Sequence, residues 1–129
     1  MPHRKVFISI LGTSNYGSCQ YTQGDFISSE THFIQEATLE FLNVKETWTA
    51  QDIAYIFLTP TARTSNWQEK TLNWKKEEKG YRGLEPILEE MELPCPIETV
   101  NITEDGDEQG LWSVSQTIYD KLQEGDELY

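Results

Sequence analysis

Between Gly12 and Gly17 the chain carries Thr13, Ser14, Asn15 and Tyr16: two hydroxyls, a carboxamide and a phenol framed by glycines. This set supplies hydrogen-bond donors and acceptors without formal charge, and glycine lets the backbone approach a ligand closely. Its natural chemistry is therefore recognition of phosphate oxygens or nucleobase edges. Gly12 and Gly17 have the spacing of the front of a phosphate-binding loop. Ser18, however, stands where the lysine is required and Cys19 where serine or threonine should follow, so a P-loop triphosphatase is not expected. The dinucleotide fingerprint fails as well, because it needs glycine at Ser14. A second polar segment, Thr59-Pro60-Thr61-Ala62-Arg63, adds two threonines and, in Arg63, the cation best suited to complement an anion.

Other chemistries find little footing. His3 and His32 have no evident serine or cysteine partner. Cys19 and Cys95 match neither a zinc ligand set nor a disulfide framework and read as reduced, small hydrophobic side chains. Glu104, Asp105, Asp107 and Glu108 lack the glycine and ligand spacing of a calcium loop and read as a solvated helix start. No catalytic residue, metal or cofactor is assigned. The 129 residues carry a net charge of −12, which disfavours binding to long nucleic acid through repulsion from its phosphates. The charge is uneven: residues 1–80 carry 8 basic and 9 acidic side chains, residues 81–129 only 2 basic and 13 acidic. An anionic ligand belongs with the first part.

The elements that must hold these residues are written in the hydrophobic pattern. Lys5–Leu11 is a continuous apolar run bounded by Gly12, the signature of a strand buried on both faces. The 19 residues from 12 to 30 are rich in turn formers and long for a connection, with a small hairpin expected between Gln20–Tyr21 and Phe26–Ile27. From Thr31 the stripe Phe33, Ile34, Ala37, Phe41 and Leu42 predicts a helix, capped by Ser29 or Thr31, with Glu36 and Glu40 facing outward. Ile53–Leu58 predicts a second buried strand closed by Thr59-Pro60. A charged helix is expected over 61–79, stopped by Gly80, then a shorter one over Leu84–Met91 and a third strand over Ile97–Ile102. Leu111, Val114, Ile118 and Leu122 predict a last helix led by the acidic run from Asp105 to Glu108 and ended by Gly125. Trp48, Trp67, Trp74 and Trp112 are expected as core or helix-packing anchors.

This alternation predicts one α/β domain, a Rossmann-like, mostly parallel sheet with helices on both faces. Ligands of such sheets bind beyond the carboxyl ends of the strands, where both polar segments lie. Asp126-Glu127-Leu128-Tyr129 starts like a further strand, so the domain spanning 1–129 is expected to be incomplete at its carboxyl-terminal end. No apolar run approaches the roughly 20 residues of a membrane span and no leader is evident, so a cytoplasmic protein is expected, with no membrane partner.

Four blocks, KVFISILGTSNYG, ETHFIQEA, AYIFLTPTARTSNW and LWSVSQTIYDKLQEGDELY, resemble successive segments of CRISPR-associated proteins of type III systems that begin with a CRISPR-associated Rossmann-fold (CARF) sensor domain. The resemblance covers nearly the whole chain. It implies a sensor for cyclic oligoadenylate, the ring-shaped second messenger of type III antiviral defence, controlling an effector. By position it implies ligand contacts from Gly12, Thr13, Ser14, Asn15 and Tyr16, with Thr59 beside them and with Thr31 and Gln35 bracing the loop. Two departures stand out: the second ligand loop that follows GDELY in relatives is absent, and so is the carboxyl-terminal ribonuclease (HEPN) domain. A tetra- or hexa-adenylate ring has rotational symmetry that a two-fold dimer can match by presenting the same loop twice, so a homodimer is expected. Tyr16 offers a ring for stacking on adenine. The alternatives are a ring nuclease, since in-line attack by a ribose hydroxyl needs positioning more than a dedicated base, and an acidic protein-interaction domain.

Overall fold

The computed structural model describes residues 4–12, 19–68, 83–103 and 108–129. Four parallel strands form the main sheet: β1 (Lys5–Leu11), β4 (Ile53–Leu58), β5 (Ile97–Asn101) and β6 (Glu127–Leu128), in the order β5-β4-β1-β6. A separate antiparallel hairpin joins β2 (Thr22–Gln23) to β3 (Phe26–Ile27); its second strand has the expected bounds and its first begins two residues later than the sequence suggests. The connections carry α1 (Ile34–Phe41) and α2 (Val44–Thr47) between β1 and β4, then α3 (Pro60–Ala62) and α4 (Leu84–Met91) before β5. The last helix, α5 (Glu108–Lys121), precedes β6. This is the expected α/β, Rossmann-like arrangement.

The register explains why β1 and β4 read as unbroken apolar runs. They pair from Val6 with Ile53 to Leu11 with Leu58; β4 pairs on its other side with β5 and so lies inside the sheet along its length, while β1 has β6 beside it only at its start. Period-two alternation then sends Phe7, Leu11, Ala54, Ile56 and Leu58 to one face, and Val6, Tyr55 and Phe57 to the other. The first face is covered by Phe33, Leu39, Val44 and Trp48 from the first crossover and by Trp67, Leu84, Ile87 and Leu88 from the second. The opposite face is covered by Ile118 of α5 and by Leu122 just after it. Two crossovers moving one way across the sheet put their helices on one face, and the return crossover puts its helix on the other. Connections of one constant hand produce this result.

Several details depart from the sequence reading. The helix expected over 61–79 is α3 followed by a π-helical turn, Arg63–Trp67, which ends at Gln68; residues 69–82, with Leu72 and Trp74, lie outside the described residues. Glu36, expected to face outward, is 2% exposed, whereas Ile34 of the predicted stripe is exposed. Beside Glu36 the Gln35 amide donates to Ser9 Oγ of β1 (3.0 Å), so the first turn of α1 meets the sheet through a polar contact. Neither Ser29 nor Thr31 caps the helix. Phe33 is the N-cap residue, without a side-chain cap bond, while Thr31 Oγ1 accepts the Phe33 amide (3.1 Å). Trp48 and Trp67 are core anchors, but Trp112 is 71% exposed. It stands two residues before Val114, roughly 200° around α5, and so lies opposite the stripe that packs on the sheet.

Glycine is required at Gly83, where the chain enters α4. Its φ is +92°, and a Cβ there would lie 2.1 Å from the Gln68 carbonyl oxygen, so backbone passes against backbone.

Candidate functional site

The order of the sheet reverses at β1: the first crossover leads to β4 on one side, and the last returns to β6 on the other. Such a reversal opens a crevice beyond the carboxyl ends of the strands, because the connections on either side diverge. Here β6 pairs only with Lys5 and Val6, and beyond them the Ile8 amide donates a hydrogen bond to the Tyr129 carbonyl (3.2 Å). The upper half of β1 has no neighbour on that side among the described residues, and Ile10 is 55% exposed.

The segment 13–18 leaves this upper end of β1. Thr13, Ser14, Asn15 and Tyr16, the expected ligand contacts, lie outside the described residues, but both stems of their loop are defined. At the first stem, the Asn66 amide donates to the Gly12 carbonyl at 2.6 Å. At the second, Cys19 and Thr31 exchange backbone hydrogen bonds of 3.0 Å in both directions, tying the loop's return to the entrance of α1. Thr31 thus bonds to Cys19 through its backbone, while Gln35 holds α1 to β1 through Ser9.

The loop after β4 supplies the rest. Thr59 Oγ1 accepts the Ala62 amide (3.1 Å), an N-cap bond, and Pro60 occupies the first helical position, where its missing N–H costs nothing. The Thr59 hydroxyl therefore has a structural task at the site's edge. Arg63 reaches across to β5, where one terminal nitrogen donates to Thr99 Oγ1 (3.2 Å) and Asn101 Oδ1 (3.0 Å). Both partners are neutral. Among the described residues its other guanidinium nitrogens have no partner, and no carboxylate of those residues neutralises it.

Sequence reasoning missed Asn66, Thr99 and Asn101. A short polar side chain next to a tryptophan in a charged segment carries no signal of burial, yet Asn66 is 0% exposed. Thr99 and Asn101 read only as the polar positions of an alternating strand. A signal existed for Asn101, because a polar residue at the carboxyl end of a parallel strand lies where ligands bind.

Away from this end the structure offers less. Cys95 belongs to the core, and burial pushes its thiol up from the ordinary range; Cys19 is exposed, and neither is in a disulfide. Among the described residues no three His, Cys, Asp or Glu side chains gather as a metal site would need, and no helix is long and apolar enough to cross a membrane. A groove of about 350 Å³ between the hairpin, α1 and Tyr129 is lined by Phe26, Ile34 and Phe41 and by uncharged polar side chains, which does not suit a phosphate-bearing ligand. Set against protein-family models, curated proteins and solved structures, the chain matches none.

Proposed function

We propose that this chain is a ligand-binding domain for cyclic oligoadenylate in type III CRISPR antiviral defence, acting in the cytoplasm as a homodimer and controlling an effector outside this chain. One observation carries the reading. Three of the blocks that resemble CARF domains are far apart in sequence, and side-chain hydrogen bonds join them at the carboxyl end of the sheet. Asn66 of the third block holds Gly12 of the first, and Gln35 of the second holds Ser9 of the first. Core packing alone would not require polar side chains to converge on the place where an α/β sheet binds its ligands.

The chemistry of the site suits a ring of phosphodiesters and adenines. Arg63 supplies one oriented positive charge, and the loop beginning at Gly12 supplies hydroxyls and amides that replace phosphate hydration without further charge. A two-fold pair of chains doubles both contributions around a symmetric ring. In this reading the ring is sensed and released intact; cleavage by in-line attack of a ribose hydroxyl is the alternative.

Isothermal titration of the chain with cyclic tetra- and hexa-adenylate tests this directly. Saturable binding of one ring per two chains is expected, with linear oligoadenylate of the same length binding more weakly. Failure of both rings to bind would defeat the reading. Chromatography of labelled ring after incubation separates sensor from nuclease: recovery of the intact ring is expected, and linear product would replace sensing alone with cleavage.

A further inference from the structure

Residues 81–129 carry 13 acidic and 2 basic side chains, yet none of these falls among the eleven residues 109–119, which make up most of α5. The sheet side of this helix is accounted for by Ile118, which packs against the cluster of Val6, Tyr55, Phe57 and Val100. On its outer side stand Trp112 and Tyr119, 71% and 74% exposed. Seven positions apart, they lie only about 20° from each other around the axis and roughly 10 Å along it, so they form one stripe. Gln116 lies between them, its amide donating to the Asp120 carboxylate (2.9 Å), and Ser113 and Ser115 are exposed beside it.

A single exposed apolar side chain needs no partner, but an amphipathic helix ordinarily turns charge to water rather than a stripe of aromatic rings. A chain of net charge −12 repels its own copies, so contact between copies is confined to surface that carries little charge. The outer face of α5 meets that condition. The groove beside the hairpin is uncharged as well, but it is concave, and in a two-fold contact each surface meets its own image. A hollow cannot fill a hollow, whereas the ridges of a helix pack into the grooves of an identical helix. Four aromatic rings from two copies, at these exposures, bury on the order of 600 Å², about a third to a half of the roughly 1,200–2,000 Å² of a stable interface. The serine and glutamine side chains around them supply a polar rim.

We infer that the outer face of α5 receives the same face of a second copy of this chain, with Trp112 and Tyr119 as its anchors. The pairing rests on the proposed function, which calls for two chains; the choice of surface does not depend on the ligand.

Sedimentation of the full chain over a range of concentrations tests this. The unsubstituted chain is expected to pass from monomer to dimer, and the dimer to strengthen as salt is added, because screening weakens repulsion between acidic copies and leaves an uncharged contact intact. Trp112→Glu places a carboxylate in the contact and is expected to weaken association at least tenfold, with a smaller loss for Tyr119→Ser. Both side chains lie outside the core, so the unfolding midpoint should hold; if Trp112→Glu lowers it, Tyr119→Ser decides. Ile34→Ser, which removes an exposed apolar side chain from the groove, is expected to leave the dimer intact. A chain that stays monomeric at every concentration overturns the inference. So does a dimer that Trp112→Glu leaves unchanged, that Ile34→Ser dissolves, or that salt weakens. A dimer dissolved by Trp112→Glu in a chain that binds neither cyclic tetra- nor hexa-adenylate supports the surface and defeats the ligand assignment; ring binding by a dimer insensitive to Trp112→Glu does the reverse.

Discussion

The two ends of the parallel sheet are held by different chemistry. At the amino end charge meets charge or backbone: Arg4 and Asp126 form a two-point ion pair (3.1 and 2.7 Å), and Lys121 meets Glu98 (3.3 Å). Asp52 accepts the Lys5 and Thr49 amides (2.8 Å each). At the carboxyl end amide groups donate to hydroxyl and carbonyl oxygens, and Arg63 leans on neutral oxygens. Ion pairs close the first end. The second has a framework of neutral bonds and a cation with no carboxylate against it among the described residues, in a chain of net charge −12.

Substitutions can break this contrast, beginning with the frame both ends share. Phe57 is fully buried in the middle of the sheet, and Phe57→Ala is expected to destabilise the chain by about 3–5 kcal/mol, read by denaturant unfolding, with both ends lost together. Next comes Arg63→Ala. If the carboxyl end is a binding site, this substitution removes a charge-assisted contact worth about 1.5–3 kcal/mol, so affinity for cyclic oligoadenylate falls roughly tenfold to a hundredfold while the unfolding midpoint barely moves. A large loss of stability with unchanged affinity would instead make Arg63 a structural strap like Arg4.

Much of the frame was legible in the sequence because its signals are local. Lys5–Leu11, Ile53–Leu58 and Leu84–Met91 have their expected bounds, each an apolar pattern enclosed by Gly, Pro or a polar turn. What escaped depends on distant partners. Glu36 is buried beside Gln35, whose amide bonds to a strand 26 positions away. The π turn places one side chain over β5 and the other at the exit of β1, which no periodicity of 3.6 can announce. Of the seven predicted contacts, Gly12, Thr59 and Arg63 come together at the carboxyl end; Thr13, Ser14, Asn15 and Tyr16 lie outside the described residues. The carboxyl end of the sheet was thus readable from topology, and the side-chain bonds that frame it were not.

Two smaller effects sharpen the amino end. The guanidinium of Arg4 holds the Asp126 carboxyl below its usual range, and the Gln123 amide adds to this. A carboxyl whose folded pKa is depressed stabilises the fold fully above its unfolded value, near ~4, and loses that contribution as pH falls through the lower folded value. Asp126→Asn should cost about 1 kcal/mol at neutral pH, less than a fully enclosed pair because solvent screens its outer side. Its stability should also fall less steeply than the parent's below about pH 4, measured by urea midpoints across the acid range.

The smallest effect is expected at Lys121 and Glu98, whose side chains are 35% and 48% exposed. Long side chains in water lose rotamer freedom when they pair, and the surrounding dielectric weakens their attraction, so Lys121→Ala should change stability by no more than about 0.5 kcal/mol. The ranking of the two pairs is the discriminating result. Arg4 and Asp126 join the start of β1 to the turn before β6, so their bond closes the sheet across the whole chain. Lys121 and Glu98 join α5 to a strand already paired with β4 along its length. If Lys121→Ala proved costlier than Asp126→Asn, the amino end would be held through α5 rather than through β6, and β6 would be an attachment to the sheet instead of the element that closes it.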